Sequence, residues 1–320
     1  NLGDLAFEAA KPAVEDAGCT KNDLQYLSVG TAGGWYEEEL PAVVASEALG
    51  LTGAGLVRCE AACASGSAAV ASAYHSIAAG QADMAMALGI EKMTETDILT
   101  SVEMIGRAGY YLWEFHNFGM TFPGYYASYA TAHMAEYGTT EEDLARVAVK
   151  NHKYGAKNPN AHLQREISID DVLNSRMVAW PLKLYDCCPV SDGAAAMVLA
   201  SEAKARKLTD TPVWIDAIGI SSDTANLSRR PHYHGLTATV SARERAYKEA
   251  KASPDQIDVA SVHDCFTIAE ILAYEDLGFC KKGEGSHLIR EGQTEIGGKI
   301  PVNVDGGLKS KGHPIGATGV

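Results

Sequence analysis

The sequence contains no apolar run long enough to form a membrane-spanning helix. Gly, Ser or charged residues interrupt each apolar stretch well before the ~20 residues that such a helix needs, so no membrane span is predicted. Positive charge is also scarce, because 27 Lys and Arg residues face 41 Asp and Glu residues and the formal net charge is −14. This balance argues against nucleic acid or an anionic membrane as a main partner, although an anionic ligand held by a local basic patch is compatible with it.

The cysteines lack the number and spacing of a disulfide framework or a zinc site. There are seven, an odd number, without paired Cys-x-x-Cys motifs: Cys19, Cys59, Cys63, Cys187, Cys188, Cys265 and Cys280. Reduced thiols of this kind are typical of a cytosol-like compartment. We therefore expect a cytoplasmic protein without a structural metal.

The remaining composition is that of a globular protein with a large core. The chain has 320 residues, of which 46% are hydrophobic and 21% are charged, and it shows no low-complexity run. Helical patterns alternate with short apolar stretches, which predicts an α/β fold with a layered sheet. Predicted strands cover residues 24–30, 57–59, 84–88, 192–200 and 213–220, and a further strand ends at His263.

Cys63 lies in the turn between a predicted strand and a predicted helix. Small residues after Gly66 form this helix, which ends at Gly80 in a left-handed cap and has so little polar surface that it should be buried. The start of a helix favours an anion, so this position can lower the pKa of the thiol and make Cys63 a nucleophile. The alternative is a small buried packing residue.

Two distant segments of the chain resemble each other. Residues 17–29 and 250–262 each read as a helix end, a polar turn with Asp and a strand that reaches Ser-Val, at a constant offset of 233 residues (250 − 17). This offset indicates a duplicated α/β half. Residues 91–184 include a segment dense in aromatics and glycine and read as an insertion, either a lid or pocket wall or a peripheral subdomain.

Two histidines lie in stretches whose composition is typical of an active site. His263 is followed by Asp264 and Cys265 at the end of a predicted strand, and ligands of open α/β sheets bind at such strand ends. His313 lies in a glycine-rich loop that exposes the backbone, where a histidine is a candidate general base.

Together and in order, these motifs resemble the thiolase superfamily. The matching stretches are Cys-Ala-Ser-Gly from Cys63, His-Asp-Cys-Phe from His263, Gly-His-Pro around His313, Gly-Ala-Thr-Gly from Gly316, and Ser-Asp-Gly-Ala-Ala-Ala from Ser191. Many thiolases have Asn-Glu-Ala-Phe in place of His-Asp-Cys-Phe. In this motif the chain is similar to sterol-carrier-type thiolases and archaeal acetyl-CoA acetyltransferases.

The resemblance implies a five-layered αβαβα fold of two duplicated α/β halves with an inserted loop domain. On this basis residues 1–90 and 185–207 form the N-terminal half, 91–184 the loop domain and 208–320 the C-terminal half. Thiolases usually begin with an earlier strand and continue into a final Cys-x-Gly stretch. The chain is therefore expected to be trimmed at both ends.

The resemblance also implies roles for four side chains. Cys63 takes an acyl group from an acyl-CoA after His313 removes its proton, and His313 then helps to hold the oxyanion of the second acyl-CoA. His263 stands where other thiolases use Asn to hold a water beside that oxygen. Cys265 is a candidate for the second acid/base, and the alternative for it is a buried strand-end thiol.

The implied activity is that of an acetyl-CoA C-acyltransferase, a reversible Claisen condensation that yields acetoacetyl-CoA. Coenzyme A thioesters are then substrates, no cofactor is tightly bound, and a homodimer or homotetramer is expected. The archaeal resemblance suggests a hydroxymethylglutaryl-CoA synthase and a small zinc-bearing OB-fold protein as partners, in the mevalonate pathway. The alternatives are a degradative 3-oxoacyl-CoA or sterol side-chain thiolase or aldolase, and a non-catalytic scaffold subunit of a multienzyme complex.

Overall fold

The computed structural model describes residues 1–320, which divide into two units. Unit 1 consists of Asn1–Ser101, Val190–Trp214 and His313–Val320, and unit 2 of Val102–Pro189 and Ile215–Gly312. This grouping by contacts does not test the three-part division into duplicated halves and a loop domain, which stays a prediction.

The regular elements are twelve α-helices and six strands, joined by short 3-10 helices and one short π-helix, Leu112–His116. The α-helices are α1 (Leu2–Asp16), α2 (Pro41–Ala48), α3 (Ser65–Ala78), α4 (Ile98–Gly106), α5 (Phe122–Tyr137), α6 (Glu141–Gly155), α7 (Ile169–Leu173), α8 (Glu202–Leu208), α9 (Thr237–Ala250), α10 (Thr267–Asp276), α11 (Gly285–Arg290) and α12 (Gly307–Lys311). The strands are β1 (Tyr26–Gly30), β2 (Gly55–Cys59), β3 (Met84–Lys92), β4 (Met177–Ala179), β5 (Leu182–Lys183) and β6 (Asp192–Ala200). None of the helices is long and apolar enough to cross a membrane.

A four-stranded sheet in the order β2-β1-β3-β6 forms the centre of unit 1. β1 is parallel to both β2 and β3, and β6 runs antiparallel to β3. The central strand β3 is buried on both faces, because its side chains alternate between two apolar clusters. Met86 and Leu88 pack with α1, and Ala85 and Ala87 pack with α3. The predicted α/β class and the strands at 24–30, 57–59, 84–88 and 192–200 are thereby confirmed.

Unit 2 is built around the buried helix α10. Nine of its ten residues are buried, and it packs against α5, α6, α9 and α11. Thr140 is the N-cap of α6, because its side chain accepts a hydrogen bond from the Asp143 amide, and acidic residues fill the first turn. A capping side chain and first-turn carboxylates both stabilise the start of a helix.

Two predicted strands and one predicted burial are wrong. Residues 213–220 form no strand, and Val213 is 96% exposed. The segment before His263 makes a single bridge, between Ala260 and Val302, and not a ladder. A local pattern specifies an extended backbone, but a strand also needs a neighbouring strand. The helix α3 is only partly covered, since it packs one side on the sheet while residues such as His75 are exposed.

The resemblance between the two distant segments extends to their structure. α1 and α9 each lead into a 3-10 helix, Lys21–Asp23 in one case and Pro254–Gln256 in the other, at the offset of 233 residues (254 − 21). Each of these 3-10 helices also begins with a capping box. The two segments differ after the 3-10 helix, because only the first continues into a strand.

Candidate active site

Cys63 lies in a tight 3-10 turn, Ala62–Ala64, between the end of β2 and the start of α3. Ala62 has a φ of 48°, in the left-handed region that residues with a Cβ atom rarely adopt. The Ser65 hydroxyl stabilises the turn, because it accepts from the Ala61 amide at 2.9 Å and donates to the Ala62 carbonyl at 2.7 Å. The predicted position of Cys63, in a turn before a helix, is confirmed.

Two glycines allow the loop that carries His313 to lie directly against α3 and β3. A Cβ atom on Gly66 would come within 2.4 Å of the Thr318 carbonyl oxygen, and one on Gly89 within 2.3 Å of the Gly316 carbonyl oxygen. Both obstacles are backbone atoms, so no side-chain rotation would relieve the contact. Glycine at these two positions is therefore a condition for the close approach of the loop.

The approach of this loop places His313 beside Cys63. The His313 Nε2 atom lies 3.3 Å from the Cys63 Sγ atom, within hydrogen-bonding distance for sulfur. His313 itself is 5% exposed, and its amide donates to the Ser191 hydroxyl at 3.3 Å. A cysteine and a histidine predicted separately from the sequence are thus brought together within unit 1.

The hydrogen bonds of Thr318 set the tautomer of His313. The Thr318 hydroxyl donates to the Pro314 carbonyl at 3.1 Å and lies 2.7 Å from His313 Nδ1. Because its proton is committed to Pro314, the hydroxyl accepts a hydrogen bond from the Nδ1–H group. The lone pair of Nε2 then faces the Cys63 thiol, as a general base for this cysteine requires.

The second predicted histidine, His263, lies in unit 2 on a turn anchored by its neighbour Asp264. The Asp264 carboxylate accepts from the Leu308 amide at 2.6 Å and the Lys309 amide at 3.2 Å. It also accepts from the Asn151 side chain at 2.7 Å. These bonds tie the segment before α10 to the start of α12 and to α6, so three donors on two helices hold the backbone next to His263.

Two family models match the chain over most of its length. The Thiolase, N-terminal domain model matches residues 1–203, and the Thiolase C-terminal domain-like model matches residues 219–320. The chain belongs to the thiolase family. The thiolase fold expected from the sequence motifs is therefore confirmed.

Individual relatives agree with the family models. The chain is 46% identical to the acetyl-CoA acetyltransferase of Methanothermobacter thermautotrophicus, over 99% of this chain and 82% of that protein. It is 34% identical to sterol carrier protein 2 of Bos taurus, over 99% of this chain and 60% of that protein. Among solved structures, the Ltp2-ChsH2(DUF35) aldolase is similar with a TM-score of 0.82 and 29% identity, covering 97% of this chain and 81% of that chain.

The electrostatics of Cys63 in this thiolase differ from the sequence prediction. Burial raises the pKa of the Cys63 thiol to about 12, and the negative charge of Glu91 contributes in the same direction. A backbone N–H at the turn lowers the pKa, as expected of a helix start, but this effect is smaller than the desolvation. The expectation of a lowered pKa is therefore wrong for the resting site, where the cysteine is a neutral thiol.

The environments of His263 and Cys265 bear on their expected roles in the thiolase reaction. Burial lowers the pKa of His263 to about 4, so its imidazole is neutral at pH 7. Cys265 is 4% exposed and belongs to the apolar core of unit 2. This burial favours the packing alternative for Cys265, and its role as second acid/base stays a prediction.

The aromatic segment of the thiolase lines a cavity in unit 2. The cavity has a volume of about 260 Å³ and is bounded by apolar and aromatic side chains that include Phe122, Tyr125, Tyr129, Leu227 and Leu236. Tyr126, a further wall residue, stacks on Phe266 with ring centroids 4.6 Å apart. Of the two alternatives for this segment, the structure favours a pocket wall.

Several residues that support the site could not be predicted from the sequence. Thr318 stands out only as part of Gly-Ala-Thr-Gly, and a hydroxyl five residues after a histidine gives no signal of a tautomer-setting bond. The buried network beneath His263 is a second case. In it Glu270 pairs with Lys150 at 2.8 Å and accepts from Asn151 at 2.7 Å. Lys150 and Asn151 lie within α6, where a helical pattern gives no sign that polar residues are buried.

Proposed function

We propose that this thiolase is an acetyl-CoA C-acyltransferase that forms an acyl-enzyme on Cys63. The observation that carries the proposal is the 3.3 Å contact between Cys63 Sγ and a His313 Nε2 atom whose lone pair faces the thiol. A buried neutral thiol next to a correctly oriented imidazole suits general-base activation. The names of the archaeal relatives, which are acetyl-CoA acetyltransferases, support the same activity.

In the first half-reaction, His313 Nε2 takes the proton of Cys63 as the sulfur attacks the thioester carbonyl carbon. The tetrahedral intermediate collapses with cleavage of the bond between that carbon and the CoA sulfur. The leaving CoA thiolate then receives the proton from His313. The products are acyl-Cys63 and free coenzyme A, with His313 returned to its starting tautomer.

In the second half-reaction, a base removes a proton from the α-carbon of acetyl-CoA, and the resulting enolate attacks the acyl carbon on Cys63. A carbon–carbon bond forms, the bond from the acyl carbon to Cys63 Sγ breaks, and the leaving thiolate receives the proton that the base removed, which regenerates the thiol. We assign the oxyanion support of this step to His263, because a neutral imidazole can hold a water there without adding charge. Cys265 is the candidate base, with its burial as the argument against it.

The surrounding biochemistry is inferred from the sequence resemblance and belongs to the proposal. Coenzyme A thioesters are the substrates, and no tightly bound cofactor takes part. The protein acts as a homodimer or homotetramer in the cytoplasm, in lipid metabolism through the mevalonate pathway. Its partners are a hydroxymethylglutaryl-CoA synthase and a zinc-bearing OB-fold protein.

A second candidate is a thiolase or aldolase that cleaves larger acyl-CoA substrates. The similarity to an aldolase structure and the aromatic cavity of about 260 Å³ favour it. A retro-aldol reaction needs no acyl group on cysteine, so acylation of Cys63 distinguishes a thiolase from an aldolase. A scaffold subunit is the least favoured, because it has no need for the oriented Cys63–His313 pair.

Intact-protein mass spectrometry after incubation with acetyl-CoA tests the proposal. One acetyl group should be added, and peptide mapping should place it on Cys63. The Cys63→Ser variant should not gain it, whereas Cys59→Ser, four residues earlier, should behave as the native protein. Absence of acylation, or acylation at another cysteine, would contradict the proposed function.

A further inference from the structure

A buried carboxylate in unit 1 has no part in the proposed mechanism. Glu91 is the penultimate residue of β3 and is fully buried, with an exposed fraction of 0%. A carboxylate taken out of water is costly unless hydrogen bonds replace its hydration. Its buried position therefore requires hydrogen-bond donors, and the cost of burial indicates that the carboxylate has a role.

The donors come from the segment after β1. The Glu91 carboxylate accepts from the Thr31 hydroxyl at 2.9 Å, from the Ala32 amide at 2.8 Å and from the Gly33 amide at 3.1 Å. The φ of Gly33 is 72°, in the left-handed region, which turns successive amides toward one anion. Residues 31–33 are thus wrapped around one carboxylate, and we call this arrangement the Glu91 clamp.

Two further side chains hold the clamp from outside. The Tyr36 hydroxyl hydrogen-bonds to the Thr31 hydroxyl and to Glu91, and Arg58 donates to the Ala32 carbonyl at 3.1 Å. Tyr36 and Arg58 are also the titratable groups near the clamp, together with Cys63. Arg58 meets the backbone carbonyl and does not form an ion pair with Glu91, so the negative charge is held by neutral donors.

The Glu91 clamp packs against the backbone segments that carry Cys63 and His313. A Cβ atom on Gly316, in the His313 loop, would lie 2.3 Å from the Ile90 carbonyl oxygen and 2.9 Å from Thr31 Cα. On the other side, a Cβ atom on Gly30 would lie 2.5 Å from the carbonyl oxygen of Ser65, the first residue of α3 directly after the Cys63 turn. The segments that carry Cys63 and His313 therefore both contact residues adjacent to the clamp, with no free space between the backbones.

We propose that Glu91 is a positioning residue that fixes the distance between Cys63 and His313 by holding the Thr31 segment against the end of β3. The proposal deepens the proposed function and rests on it. Gly316 and Ser65 both pack against this segment. A movement of the Thr31 segment would therefore displace both of them, and so change the alignment of His313 Nε2 with the Cys63 thiol. Alignment of this kind controls how readily a proton is transferred.

A carboxylate suits this role better than an amide. The groups that hydrogen-bond to Glu91 are all donors, and a carboxylate offers only acceptors. Glutamine would turn an NH₂ group toward at least one donor and leave that donor unsatisfied in the interior. Glu91→Gln therefore keeps the size and removes both the charge and part of the clamp.

The test compares Glu91→Gln with Glu95→Gln in the full chain. Glu95 lies four residues later and pairs with Lys92 at the partly exposed end of the same segment, so it is a matched control. We expect Glu91→Gln to lower the single-turnover rate of Cys63 acylation by acetyl-CoA about tenfold, with KM changed less than about twofold. The pH profile of Cys63 alkylation by iodoacetamide should move to lower pH, because the charge that opposes thiolate formation is removed.

A merely structural role would lower thermal stability and leave the acylation rate of the folded protein unchanged, whereas the alkylation profile reports the loss of the charge near Cys63. Native-like acylation and alkylation in folded Glu91→Gln would overturn the proposal. If the native protein is not acylated by acetyl-CoA, the proposed function fails, and the alkylation profile still tests the link from Glu91 to Cys63.

A second pair of variants covers the case in which Glu91→Gln does not fold. Thr31→Val removes one donor at constant volume, and Thr31→Ser retains the hydroxyl. Acylation should be slower in Thr31→Val and restored in Thr31→Ser. Equal rates in these two variants would overturn the proposal.

Discussion

The Nε2 atom of His313 lies 3.3 Å from the Sγ atom of Cys63, although 250 residues separate them in the chain. The thiol is neutral at rest, because burial raises its pKa to about 12. Its reactivity therefore depends on a base at the moment of attack and not on a standing thiolate. This relationship makes the orientation of one imidazole the central requirement of the site.

Replacement of His313 by Ala should slow the acylation of Cys63 itself. A general base contributes roughly 10²–10⁴ in rate, and His313 Nε2 is the base that hydrogen-bonds to the neutral thiol. Single-turnover acylation by acetyl-CoA, followed by mass spectrometry, measures the loss. His75→Ala, on the exposed side of α3, is the control and should match the native rate. Unchanged acylation in His313→Ala would show that the turn alone activates the thiol.

Thr318→Val should also reduce acylation, by about tenfold. The variant removes the acceptor of the His313 Nδ1 proton, so the ring is free to place that proton on Nε2, where it faces the sulfur. Thr318→Ser keeps the hydroxyl and should retain most of the rate. Equal losses in both variants would point to packing and not to the tautomer.

His263→Ala should separate the two half-reactions. We expect acylation of Cys63 to be nearly native and carbon–carbon bond formation to fall by roughly 10²–10³, the usual effect of losing one oxyanion donor. His263→Asn should recover part of this loss, because an amide can hold the same water. Acylation and condensation are measured side by side on each variant. Loss of acylation in His263→Ala would instead make His263 part of the first step.

The rate of Cys63 alkylation by iodoacetamide should rise about tenfold per pH unit from about pH 7 to about pH 10. The reason is that the thiolate fraction of a group with a pKa of about 12 grows in this proportion throughout that window. The folded pKa lies above that of an ordinary cysteine, so the rate should be lower than that of a free thiol at each pH. Cys63→Ser provides the background from the other cysteines. A plateau below about pH 8 would indicate a preformed thiolate and contradict the assignment of a neutral resting pair.

Features that depend on neighbours in the sequence could be predicted from the sequence. The position of Cys63 before a helix is set by a strand, a turn and a run of small residues that are contiguous in the chain. The repeat at an offset of 233 residues predicted matching turns, which the structure has at Lys21–Asp23 and Pro254–Gln256. The thiolase motifs likewise identified both histidines before their surroundings were known.

The wrongly predicted strand at residues 213–220 shows what a local sequence pattern does not determine. Residues 213–220 have an apolar, β-branched pattern, yet Val213 is 96% exposed and the segment has no strand beside it. Alternation and composition describe one chain segment, whereas a ladder of hydrogen bonds needs two.

The chemical state of the site was decided by the tertiary structure alone. Whether the pKa of Cys63 rises or falls depends on the groups that pack around the turn, and desolvation there outweighs the backbone N–H that a helix start supplies. The tautomer of His313 depends on Thr318, and its distance from Cys63 depends on glycines at which distant backbones touch. The sequence by itself determined which residue types stand at which local positions. Their distances, burial and protonation arise from contacts between segments far apart in the chain, which no local pattern specifies.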